Sequence, residues 1–153
     1  MKITDSFKLK GELTIELYDA ITSQLLSREI VKNLVVTAGK ASIADALRGT
    51  ASKGEITYCA VGTGTTAPAI GDTQLETELA RKQISTNSLA SKVVTFRTFY
   101  NATEANGTLR EAGLFGDLAT ATANTGTLYC RTAINRVKSA SNTLSLSWAL
   151  TVG

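Results

Sequence analysis

The chain has 153 residues, of which 43% are hydrophobic and 19% are charged, a composition typical of one folded domain over 1–153. Its net charge of +3 comes from 16 basic and 13 acidic residues spread along the sequence, which does not favour a nucleic-acid partner. The complete lack of histidine excludes Ser-His-Asp and Cys-His catalytic sites and removes the commonest metal ligand. We therefore expect a protein that is not an enzyme and has no cofactor.

The chain begins with residues that carry no export or membrane signal. Met1–Leu9 has no apolar run of signal-peptide length, and about eighteen consecutive apolar residues occur nowhere. We expect synthesis in the cytoplasm and no membrane partner. Next, alternating apolar residues predict one strand at 13–18 and a second at 25–31. With a turn between them, they form an N-terminal hairpin within 1–32, whose Tyr18 faces outward.

A short helix is predicted at 38–48. Thr37 has a hydroxyl suited to an N-cap, and Gly49 suits the left-handed position after the last turn. Ile43 and Leu47 share one face, which we expect to pack on a sheet because so short a helix is not stable in water by itself.

A strand at 56–61 is followed by a glycine-rich loop, Thr63–Asp72, which contains the only proline of the chain. We expect an ordered surface loop here. Residues 73–82 are compatible with a turn of helix or an extended segment, and 86–91 read as a polar loop. Asp72, Glu76 and Glu78 cluster after the loop without the spacing of a calcium motif, so no metal site is predicted.

The middle of the chain predicts a hairpin. Residues 93–101 alternate as a strand, and Asn106-Gly107 is a dipeptide that favours a tight reversal into a returning strand at 109–115. Glu111 is expected to point inward and therefore to need a cationic partner. The candidates for that partner are Arg81, Lys82 and Arg97.

The C-terminal strands, within 117–153, follow an exposed loop at Ala119–Gly126. Leu128, Cys130 and Ile134 share one parity, the run from Leu144 to Val152 alternates, and Trp148 is expected in the core. Residues 135–142 are predicted as a polar connection in which Arg136 and Lys138 are exposed. Cys59 and Cys130 are expected to be buried thiols, and a disulfide within the chain or between subunits is the alternative. The sum is a mainly β protein, an antiparallel sandwich of seven or eight strands with one short helix.

Three segments in a fixed order carry a family resemblance: NLVVTAGKASIADAL, then ITYCAVGTGTTAPAIGDTQLETELARKQI, then TLREAGLFG. Over 33–116 the chain resembles the N-terminal domain of the tail-collar fibre proteins of tailed bacteriophages. That domain usually continues into a long fibre shaft, whereas this sequence ends at Gly153 and carries an additional hairpin at its start. The resemblance therefore implies an adaptor in a virion instead of a complete host-binding fibre.

The resemblance implies a structural protein at the tail, baseplate or collar, assembled in the host cytoplasm, whose partners are copies of itself and other virion proteins. Two alternatives stay open: a capsid decoration protein, and a carbohydrate-binding module that uses Tyr18, Phe99 and Tyr129. The residues expected at interfaces are Thr63, Gly64, Thr65, Thr66, Ala67, Pro68, Tyr18, Asn124 and Thr125.

Overall fold

The computed structural model describes residues 7–153, which form nine strands and one helix. In chain order these are β1 (Leu9–Asp19), β2 (Leu25–Val35), α1 (Thr37–Leu47), β3 (Ile56–Gly62), β4 (Glu78–Gln83), β5 (Thr86–Ala90), β6 (Val93–Tyr100), β7 (Gly107–Gly116), β8 (Thr127–Lys138) and β9 (Asn142–Val152). No helix among these residues is of a length and hydropathy that would cross a membrane.

The strands form one antiparallel sheet in the order β4-β3-β7-β8-β2-β1-β9-β6-β5. Strand β2 joins two halves, because it pairs with β1 along most of its length while Leu34 and Val35 pair with β8. We call β2-β1-β9-β6-β5 the first half-sheet and β4-β3-β7-β8 the second half-sheet. The predicted mainly β, sandwich-like class is confirmed, with nine strands instead of seven or eight, and the predicted hairpin β1–β2 lies in the middle of the strand order.

The two half-sheets share one apolar core. Leu13 and Trp148 come from the first half-sheet, Val61 and Leu114 from the second, and all four are buried in the same cluster. Two hydrogen bonds cross this core to Cys59: the Tyr100 hydroxyl donates to its carbonyl oxygen at 2.8 Å, and Trp148 Nε1 donates to its Sγ at 3.3 Å. The prediction that Trp148 lies in the core is confirmed.

Both cysteines are free, buried thiols, as expected. Burial raises the pKa of Cys59 to about 11 and that of Cys130 to about 12, because a thiolate is poorly solvated in the core.

A second apolar cluster lies on the outer face of the second half-sheet and includes Leu75, Phe115 and Leu128. Helix α1 packs beside it against β8. A Cβ on Gly39 would lie 2.6 Å from the Cα of Tyr129, so a larger residue at Gly39 would hold the helix away from the strand.

Helix α1 differs from its prediction in its cap and in its buried face. It begins at Thr37, and the residue before it, Val36, makes no side-chain capping bond; the N–H of Thr37 donates instead to the carbonyl of Ile70 at 2.9 Å. Leu47 is 85% exposed, so its predicted burial is wrong. The helix approaches β8 through its small residues Gly39 and Ser42, and Leu47 lies on the side away from them. Ile43, the other residue of the predicted face, is partly buried against the apolar core, as expected.

Two connections were predicted wrongly. Residues 86–90 form strand β5 and not a loop. Strands β6 and β7 do not pair with each other: β6 lies between β9 and β5, and β7 lies between β3 and β8. The segment around Asn106 therefore carries the chain from one half-sheet to the other.

Several predictions for β8 are wrong. The strand continues to Lys138, which is buried; its Nζ donates to the Asn101 carbonyl at 2.8 Å and to Asn106 Oδ1 at 2.9 Å. Arg136, also predicted to be exposed, is half-buried and pairs with Glu29 at 2.6 Å. Leu128 and Cys130 point to opposite faces despite their equal parity. The pairing shifts there from Leu114–Cys130 to Phe115–Leu128, which marks Tyr129 as a β-bulge.

Candidate functional site

Residues 63–77, which include the predicted Thr63–Asp72, connect β3 to β4 and form the glycine-rich loop. This loop covers the outer face of the second half-sheet. Beneath it lies Glu111 of β7, whose side chain is 1% exposed. Three backbone N–H groups of the loop donate to this carboxylate: Gly64 at 3.1 Å, Glu76 at 3.0 Å and Thr77 at 2.8 Å. One buried carboxylate thus fixes both ends of the loop.

Arg131 of β8 is the cationic partner of Glu111. Its Nε lies 3.0 Å and its Nη2 2.8 Å from Glu111 Oε2. The same guanidinium reaches the loop, since Nη1 donates to Asp72 Oδ2 at 2.6 Å and Nη2 to the carbonyl of Thr66 at 2.9 Å. Arg131 therefore ties the strand pair β7–β8 to the middle of the glycine-rich loop.

The inward orientation predicted for Glu111 is confirmed, but its predicted partners Arg81, Lys82 and Arg97 are wrong. In the β7–β8 ladder the residue directly opposite Glu111 is Ala133. Arg131 lies two residues along β8 from Ala133 and therefore diagonally across from Glu111. The sequence did not indicate the pairing of β7 with β8 in this register. A single basic residue inside the apolar run of β8 was the available signal.

The tip of the loop is fixed by its own carboxylates. Glu76 accepts hydrogen bonds from the N–H of Thr66 at 2.7 Å and from its hydroxyl at 2.6 Å, and Asp72 accepts one from the N–H of Ala69 at 2.9 Å. The carboxylates expected as a cluster thus have separate partners. Residues 7–153 contain no group of three His, Cys, Asp or Glu side chains arranged to hold a metal.

A second loop, the threonine loop (residues 119–126), connects β7 to β8 and is exposed over most of its length. Arg81 of β4 anchors it: its Nη1 donates to the carbonyls of Thr120 at 3.1 Å and Thr125 at 3.0 Å. The guanidinium lies 4.4 Å from the ring centre of Phe115 and is held by Glu78, with Nε to Oε1 at 2.5 Å.

The structure brings most of the predicted interface residues together over the second half-sheet. Thr65, Thr66, Ala67 and Asn124 are exposed; Thr63, Pro68 and Thr125 are half-buried; Gly64 is buried. Tyr18 lies apart from them on the first half-sheet, where its hydroxyl donates to Glu16 at 2.9 Å. Of the aromatic residues considered for sugar binding, Tyr129 is buried, whereas Phe99 is 46% exposed.

A polar cluster that the sequence did not reveal lies where α1 meets the second half-sheet. The carboxylate of Asp117 accepts hydrogen bonds from the hydroxyls of Ser42 and Tyr129 and from the N–H of Gly54 at 3.2 Å, and Lys53 lies 3.4 Å away. Burial opposes ionisation of Asp117, but these donors outweigh it and hold the pKa of this carboxyl below its ordinary value. The cluster therefore depends on a charged Asp117.

Stability should fall in acid. Burial acts to raise the pKa of Asp72 as well, yet the N–H of Ala69 and Arg131 lower it below normal. A depressed pKa in the folded state means that the folded chain releases these protons more readily than the unfolded chain. The free energy of unfolding is thus expected to stay level between about pH 5 and pH 8 and to decline as the pH falls through about 4. Urea denaturation at a series of pH values measures this dependence.

Asp117→Asn is the matching variant for the acid experiment. This variant lacks one carboxyl whose pKa is lowered in the folded state. Its free energy of unfolding should therefore be lower at neutral pH and should fall less steeply in acid. Glu12→Gln, at an exposed position of β1, is the control and should follow the parent protein. An equal acid slope for the parent and Asp117→Asn would show that Asp117 does not contribute.

Both oxygens of Glu111 are occupied, Oε1 by Gly64 and Thr77 and Oε2 by Glu76 and Arg131, so this carboxylate serves to hold the loop.

No family model, curated protein or solved structure matches the chain.

Proposed function

We propose that the chain is a non-enzymatic structural component of a tailed-phage particle, an oligomeric adaptor at the tail, baseplate or collar that attaches fibres or neighbouring virion proteins. The order of the three segments over 33–116 supports the kind of particle. The observation that carries the adaptor role is the anchoring of the glycine-rich loop to the sheet by Glu111 and Arg131, which leaves its tip exposed.

An anchored loop is suited to assembly because its conformational entropy is already lost when the protein folds. A loop that is already fixed loses little conformational freedom when a partner binds. A symmetric ring repeats each such contact, so that modest contacts add up to a stable assembly.

The loops also offer apolar side chains to a partner. Ile70, in the glycine-rich loop, is 54% exposed although its carbonyl is held by Thr37. Leu118, directly before the threonine loop, is 75% exposed. Covering apolar side chains on fixed loops with a neighbouring subunit removes them from water and so stabilises the assembly.

The mass of the purified protein in solution tests the proposal. Light scattering is expected to give a defined oligomer, and its mass should be the same with and without reductant because both thiols are buried. Ala67→Arg, at the exposed tip of the glycine-rich loop, should lower the mass. Ala140→Arg, in the exposed turn between β8 and β9, is the control and should not.

Two other results would point elsewhere. A monomer that binds only to assembled particle heads would favour a decoration protein. A monomer that binds glycans on an array, and loses them on Phe99→Ala, would favour a carbohydrate-binding module; Phe99 and Tyr18 line a shallow depression that makes this the next candidate. Either result would contradict a self-assembling adaptor.

A further inference from the structure

The two ends of the strand order differ sharply in how they are protected. At one end, β4 carries three charged residues held in ion pairs: Arg81 with Glu78, and Lys82 with Glu104 at 2.6 Å. The threonine loop also lies against it through Arg81. Charged side chains and covering loops are the usual means by which an edge strand avoids pairing with another chain.

At the other end, β5 has none of these devices. Its sequence, TNSLA, has no charge and no proline, and all five residues are exposed. Within residues 7–153 none of its side chains makes a hydrogen bond to another residue, and Leu89 is 71% exposed. One side of β5 pairs with β6; along the other side, the outward N–H and C=O groups are available to a further strand.

We propose that β5 pairs with β5 of a second copy of this chain, antiparallel and centred on Ser88, so that two first half-sheets become one continuous sheet. This inference rests on the proposed homo-oligomer and identifies one of its contact surfaces. In this register Ser88 lies opposite Ser88 of the second copy, Asn87 opposite Leu89, and Thr86 opposite Ala90. The contact is two-fold symmetric, as is typical of pairs of identical surfaces.

A second copy suits this edge because the pairing is neutral and places no like charges together. Arg97, the nearest charged residue on β6, is paired with Thr86, which lies opposite Ala90 and therefore far from Arg97 of the second copy. Lys92 lies beyond the end of the strand.

The paired strands also bury apolar surface. The two Leu89 side chains share one face and lie diagonally across the new ladder, within reach of each other. Five residues span only about 17 Å, so the area is small and the dimer is expected to be weak, forming as the concentration rises.

Introducing a positive charge at Ser88 in one variant and a negative charge in another tests both the identity of the partner and the register of the pairing. Ser88→Lys and Ser88→Glu each place two like charges directly opposite one another in the proposed dimer. Light scattering from micromolar to millimolar concentration should show association about fivefold weaker for each variant alone than for the parent. An equimolar mixture of the two variants should regain association, and added salt should weaken it again. Thr108→Lys, at an exposed position of β7, is the control and should behave as the parent.

Three results overturn the edge pairing: a parent that stays monomeric at every concentration, Ser88 variants that associate as strongly as the parent, or a mixture that does not recover. The mass of the Ala67→Arg variant shows whether only the edge pairing is wrong or the adaptor role is wrong as well. If Ala67→Arg lowers the mass and the Ser88 variants do not, the loops make the oligomer and the edge does not. If neither changes the mass of an oligomeric parent, both surfaces are excluded.

Discussion

Replacing Arg131 by methionine is expected to lower the free energy of unfolding by about 3–5 kcal/mol, because it leaves the buried carboxylate of Glu111 without its counter-ion. Methionine keeps most of the volume, so the loss of charge is the main change. The glycine-rich loop also loses the hydrogen bonds that Arg131 makes to Asp72 and Thr66. Urea denaturation gives the free energy, and thermal unfolding should show a melting temperature lower by about 10 °C.

Arg110→Met is the matched control. Arg110 lies on β7 next to Glu111 but is exposed and bonds only to Asn135. Its replacement is expected to cost less than about 0.5 kcal/mol. The double variant Glu111→Gln with Arg131→Met should recover part of the stability lost by Arg131→Met, because the fully buried charge of Glu111 is then no longer left unpaired. Equal losses for Arg131→Met and Arg110→Met would contradict the role given to the ion pair.

Trp148→Ala is expected to cost about 3–5 kcal/mol through the cavity that it leaves. Trp148 is fully buried between the half-sheets and donates to Cys59 Sγ, so its loss removes packing and one of the two hydrogen bonds to Cys59 that cross the core. Denaturant unfolding measures the effect, and thiol labelling of Cys59 in the native protein should become faster as the core opens.

Phe99→Ala is the control for the tryptophan variant. Phe99 lies on β6, adjacent to β9, and is half exposed, so its truncation should cost about 1 kcal/mol or less. A loss for Trp148→Ala no larger than that for Phe99→Ala would show that the two half-sheets do not depend on the tryptophan.

Local sequence patterns predicted most of the elements and the β1–β2 hairpin, but not how the other strands pair. The alternation of apolar and polar residues in β1, β6 and β9 indicates that each strand has one buried face. It does not indicate which strand lies beside which. Thr86–Ala90 lacked the signal because an edge strand with both faces exposed has no reason to alternate. The bulge at Tyr129 then reversed the parity of β8, which periodicity alone does not reveal.

The candidate site could be predicted only in part, because its key contacts join residues far apart in the chain. The glycines and the proline marked the loop, and the parity of Glu111 indicated that it points inward. Arg131 became its partner through the pairing of β7 with β8, and Ser42 met Asp117 through the packing of α1. Such contacts depend on the whole topology and are not written in any local pattern.

The pairing of β1 with β9 has a consequence for how the protein folds. Leu9 lies opposite Val152, so the first half-sheet is completed only when nearly the whole sequence has left the ribosome. Closing such long chain segments costs entropy before any contact offsets it, which makes folding slow compared with that of helical proteins of the same size. Until then the β1–β2 hairpin exposes its apolar face, and nascent chains are expected to be most prone to aggregation at this stage of synthesis.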